Sequence, residues 1–192
     1  MNFTKTEELQ RSEKSKLALL YVSIASMTMV FAGLTSAYIV RKGEGNWMLF
    51  EIPFQFYIST ALLLFSSISL NFGMSYLKKG DILFLGRLLA VTLALGLAFG
   101  YFQFSGWHSL VESGVYFAGK TANASGSFFY VITWLHFGHY IGGIIALVFS
   151  IWRNHSGAYA AGNYTGMKMI AAYWHFLDAL WLYIFLFLLL YK

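Results

Sequence analysis

Five apolar runs, residues 17–40, 54–77, 82–105, 127–152 and 167–191, account for most of this 192-residue chain. Each meets or exceeds the ~20 residues with which a helix crosses the hydrocarbon core of a bilayer. Spans of that kind satisfy their own backbone hydrogen bonds, which lipid cannot do for them. With 58% hydrophobic and only 11% charged residues, the composition excludes a soluble globular domain. The connections between runs are short and leave no room for a second domain. The expectation is an all-α membrane protein: a bundle of five transmembrane helices forming one domain, 17–192, behind a short polar arm, 1–16.

The net charge of +5 does not mark a nucleic-acid-binding surface, because the basic residues are scattered over segment ends and loops. Their distribution is better explained by the excess of Lys and Arg on the cytoplasmic side of membrane proteins. The arm and the second and fourth connections carry Lys5, Arg11, Lys14, Lys16, Lys78, Lys79, Arg87, Arg153 and Lys168. The other side has Arg41, Lys42, Lys120 and Lys192. The N-terminus is therefore expected in the cytoplasm and the C-terminus outside. The arm lacks the basic start, short apolar core and cleavage site of a signal peptide. With no cysteine, disulfides, thiolate metal sites and covalent c-type haem attachment are excluded.

Residues 171–187 are the most informative stretch. AAYWHFLDALWLYIFLF is apolar enough for lipid, yet holds His175 and Asp178 three residues apart, on nearly one helical face. Asp178 is the only acidic residue in any of the five runs. A carboxylate at bilayer depth costs at least ~2.5 kcal/mol on the insertion scale, so it should face other helices and have a partner. Trp174 and Trp181, two turns apart, form an aromatic stripe beside it. The fourth run carries His136 and His139, with Gly138 and Gly142 at the spacing that lets helices approach closely and Gly142, Gly143 and Ala146 forming a smooth surface for a neighbouring helix. If antiparallel helices enter near Ser127 and Met167, His136 is level with Asp178 and His139 with His175. Both pairs are expected to be bonded near mid-membrane.

These groups are read first as packing and hydrogen-bonding residues that join helices. A bis-histidine haem needs facing histidines on different helices with room for the macrocycle, and aromatic bulk competes for that room. A di-metal carboxylate bundle needs several Glu and Glu-x-x-His motifs, which one Asp does not supply. An independent proton-coupled transporter fits the intramembrane Asp and His, although the repeats and broken helices of transporters are not visible. The serines of the second run (Ser59, Ser66, Ser67) and the Gly96/Gly100 pair of the third are weak signals by themselves.

YWHFLDALWLYIF, residues 173–185, resembles the last-helix signature of subunit III of haem-copper terminal oxidases, and LHFGHYIGG, 135–143, resembles that family's penultimate-helix motif. FAG at 31–33, Gln103 with Ser105, GVY at 114–116, GSFF at 126–129 and Arg153 extend the likeness over nearly the whole chain after the arm. The resemblance implies the five-helix bacterial form of cytochrome c oxidase subunit III, in the inner membrane. It implies a subunit without haem, copper or a catalytic centre of its own, those cofactors residing in the partner catalytic subunits. It further implies packing on oxidase subunit I, phospholipid binding with Arg153 as a lipid ligand, and support of proton uptake and turnover durability. Subunit III-like chains also accompany quinol oxidases and nitric oxide reductases. Two carboxylates of the family do not carry over: Met27 and Lys168 stand in their places.

Overall fold

The computed structural model describes residues 5–157, 159 and 164–191. It contains five helices: α1 (Lys5–Gly43), α2 (Phe54–Lys78), α3 (Ile82–Glu112), α4 (Ala124–His155) and α5 (Thr165–Tyr191). All five are long and apolar enough to cross a membrane, and the described residues contain no strand.

Two boundaries differ from the sequence expectation by more than three residues. The arm does not end at Lys16 as a separate element: α1 is continuous from Lys5. The arm is rich in Glu, Gln, Lys and Arg, good helix formers, and α1 extends through them without a break. At 39 residues α1 is about 58 Å long, roughly twice the ~30 Å core. The other difference is at the outer end of α3, which continues through Trp107 and His108 to Glu112. Tertiary contacts hold the extra turns. The Trp107 indole donates to Thr133 Oγ1 at 3.1 Å, and Leu110 is buried.

Backbone chemistry closes the helix ends. After α3, Gly114 adopts φ +81°, Val115 N–H returns to Leu110 O, and Gly114 N–H to Val111 O. This is the left-handed glycine cap, completed by Val115 buried near Leu110. Gly80 does the same after α2, at φ +80°, and Asp81 then caps α3 by accepting from Phe84 N–H. The α2–α3 turn is short because one residue ends the first helix and the next begins the second.

Helices α2 and α3 make the most extensive pairing. Phe56, Ser59, Leu63, Ser66, Leu70, Gly73 and Leu77 are buried on α2, and Leu85, Leu89, Thr92, Gly96, Phe99, Gln103, Gly106 and Leu110 on α3. The alternating steps of three and four are the seam of an antiparallel coiled-coil hairpin. α5 then packs on α1, α2 and α4, and α4 on α1, α3 and α5, leaving α1 at the bundle's edge with most of its surface exposed.

Candidate functional site: a polar seam inside the bundle

One group of buried polar side chains lies where α5 and α3 meet α2. Thr60 and Ser66 donate to the carbonyls of Phe56 and Leu63 on their own helix, which leaves their oxygens free to accept. Trp181 Nε1–H donates to Thr60 Oγ1 at 3.0 Å and Trp174 Nε1–H to Ser66 Oγ at 3.1 Å. Gln103 of α3 donates to Ser59 Oγ at 3.0 Å. The serine stripe, uninformative as sequence, is thus a row of acceptors for groups on other helices. Tyr140 of α4 donates to Gly96 O of α3 at 2.6 Å. Thr60, Thr133 and Tyr140 were not singled out from the sequence. Hydroxyls are so common in membrane helices that only their partners distinguish these.

The expected bonds of His136 with Asp178 and His139 with His175 are not made. His139 Nδ1–H donates to Leu135 O on its own helix at 2.8 Å, and its ring meets Phe31 of α1. His175 Nδ1 lies 2.6 Å from Ser67 Oγ of α2. His136, 1% exposed, packs its ring against Trp181 at 5.1 Å and Phe99 at 6.3 Å. Neither of its ring nitrogens bonds to a described residue. Asp178 is 5% exposed, and its carboxylate oxygens meet no donor among the described residues within hydrogen-bonding geometry. Ser67 and Tyr140 are its polar neighbours. Equal depth is a condition for pairing, but rotation decides it: His175 turns to Ser67 of α2.

Rotation also corrects the glycine assignment. A Cβ on Gly138 would meet nothing within 4 Å, and one on Gly142 would only touch the Tyr173 hydroxyl at 3.5 Å. The close approach is at Gly143, where a Cβ would lie 2.9 Å from Leu177 and 3.2 Å from Trp174. The inward face of α4 runs through His136, Tyr140, Gly143, Leu147 and Ser150, so Gly138 and Gly142 fall on the outer side.

At the other end of α4, Arg153 extends over the Phe149 and Tyr159 rings, 5.9 and 5.8 Å from their centroids. It lines a cleft of about 330 Å³ with Glu13, Lys16 and Thr165 among the walls. Among the described residues no three His, Asp or Glu side chains are grouped so as to hold a metal ion.

These features define a class: a multi-pass helical membrane protein in which several interior polar side chains join neighbouring helices. Residues 45–192 match the family model of cytochrome c oxidase subunit III, a range that takes in α2 to α5. The chain is 32% identical over 167 residues to a probable cytochrome c oxidase subunit 3 of Nocardia farcinica, spanning 84% of this chain and 81% of the relative. Over 174 residues it is 32% identical to cytochrome c oxidase subunit 3 of Thermostichus vulcanus, covering 86% and 82% of the two chains. A Bacillus relative of the same description is 27% identical over 177 residues, covering 90% and 84%. The chain belongs to the cytochrome c oxidase subunit III family.

Proposed function

We propose that this chain is an accessory, non-catalytic subunit III of an aerobic respiratory terminal oxidase, a cytochrome c oxidase of a bacterial inner membrane. The match over residues 45–192 carries this reading. In it, the N-terminus faces the cytoplasm, as the Lys and Arg distribution indicates. The chain packs on subunit I, where haem and copper reside, and supports proton uptake and durability of turnover. The seam favours a structural part in the complex, because the tryptophan, glutamine and tyrosine donors in it are engaged in holding α2, α3, α4 and α5 together.

A tagged chain extracted in mild detergent should bring haem and copper with it. Recovery as a lone monodisperse chain would reject the assignment. Removing the chain from the complex should leave the haem spectrum and the initial rate intact while shortening sustained turnover. Loss of the initial rate in a fully loaded complex would contradict an accessory role.

Arg153 is proposed to hold a phospholipid phosphate at the cytoplasmic boundary. Its guanidinium lies over the Phe149 and Tyr159 rings at the inner end of α4, where a charge remains at the interface. Arg153→Ala is expected to lower the anionic lipid retained by the purified complex, read by native mass spectrometry. Unchanged lipid content would overturn this role.

A further inference from the structure

We infer that the cleft between the inner ends of α3 and α4 binds a phospholipid headgroup that carries an N–H or O–H donor beside its phosphate. The cleft, about 530 Å³, is lined by Gly86, Arg87, Asn154 and His155 with apolar residues such as Leu83. It is separate from the Arg153 cleft. Adjacent residues of α4 turn to opposite sides, Arg153 toward Tyr159 and Asn154 toward α3.

Asn154 is 7% exposed. Its Nδ2–H donates to Ile82 O at 3.2 Å, which fixes the orientation of the amide. The opposite atom, Oδ1, is buried and meets no donor among the described residues. A buried acceptor of this kind calls for a hydrogen bond from outside the chain. Gly86 makes the arrangement possible: a Cβ there would stand 2.8 Å from Asn154 Nδ2 and push the amide off Ile82. Beside this acceptor is Arg87, exposed and without an ion pair or hydrogen bond to any described residue. Guanidinium stays charged throughout the physiological range and suits phosphate oxygens.

A permanent cation beside a fixed acceptor is complementary to a phosphodiester with a donor a few bonds away. Phosphatidylethanolamine and phosphatidylglycerol have that pattern. Phosphatidylcholine has the phosphate but no N–H or O–H. The position selects a lipid over a soluble phosphate: Arg87 is five residues into a membrane-spanning helix, about 7.5 Å along its axis, and exposed Leu83 faces the same cleft.

The test uses the intact complex, stripped of loosely held lipid and re-equilibrated with palmitoyl-oleoyl phosphatidylethanolamine or phosphatidylcholine, with retained lipid counted by native mass spectrometry. The lipid lost on Arg87→Gln, a substitution at an exposed residue, defines occupancy of this site. Phosphatidylethanolamine should be retained there about fivefold over phosphatidylcholine, as one added hydrogen bond provides. Asn154→Leu and Gly86→Ala should abolish the preference while Arg153→Ala leaves it in place. Equal retention of the two lipids, a preference that survives Asn154→Leu, or lipid content unmoved by Arg87→Gln would each overturn the proposal. Displacement of the lipid by equimolar glycerophosphoethanolamine would overturn the choice of a membrane lipid as occupant.

Discussion

Trp181→Ala is expected to lower the stability of the bundle by about 3 kcal/mol, and Trp181→Phe by only about 1 kcal/mol. Trp181 is 1% exposed, and its ring stands among Phe56, Phe99, His136 and Phe185 at centroid distances of 5.1 to 6.5 Å. Alanine leaves a cavity that touches three other helices. In lipid the loss is mainly of packing, since the hydrocarbon outside is as apolar as the core. Phenylalanine keeps most of the ring contacts and loses the bond to Thr60. That hydroxyl still donates to Phe56 O at 2.7 Å, so no group is left without a partner. Denaturation in detergent micelles, followed by circular dichroism, separates the two variants. Equal losses for both would mean that the hydrogen bond, and not the ring volume, holds α5 to α2.

The second large effect is expected at Gly106, a position with no conspicuous sequence signal. A Cβ there would come within 2.6 Å of the Phe56 ring, which is fully buried and also packs on Phe129 and Trp181. The ring has nowhere to move, so the α2–α3 hairpin must open at its outer end. Gly106→Val should cost on the order of 3 kcal/mol, the upper range for overpacking, and Gly106→Ala less. Gly138→Ala is the control, with open space around its Cβ, and should leave stability unchanged. If melting temperatures of the Gly106 variants match wild type, the α2–α3 contact is looser than the distances indicate. Combining Gly106→Ala with Phe56→Leu, which frees ring volume, should recover part of the loss.

The number and order of the helices were legible from hydrophobic length alone, because spanning a bilayer is a local property of about 20 residues. Pro53 immediately before α2 and the short turn at Gly80 were equally local. The family motifs in α4 and α5 pointed to the same family as the later matches. Less legible were the ends that stand outside the apolar runs. Lys5 to Lys16 and Gly106 to Glu112 are helical beyond the hydrophobic limit, and at α3 the cause is contact with residues of α4.

Helix rotation was not legible. In a soluble helix the polar face reports which side is outward, but a membrane span is apolar on all sides and its sequence carries little such mark. Hence Gly138 read as a close-packing glycine though a Cβ there would meet open space, Gly143 alone of the glycines in the expected smooth surface makes the tight approach to α5, and His175 read as the partner of His139 when it meets Ser67. By itself, the sequence determined that this chain has five segments long and apolar enough to cross a membrane, which family it resembles, and that a lone carboxylate at Asp178 must be buried among helices. The tertiary structure alone decided which hydroxyl accepts from which indole, and that Asn154 turns toward α3 while Arg153 does not. Depth follows from position along one helix, whereas a partner follows from the azimuth of two, set by side chains far apart in the chain, 121 residues for Trp181 and Thr60 and 148 for Thr35 and Tyr183.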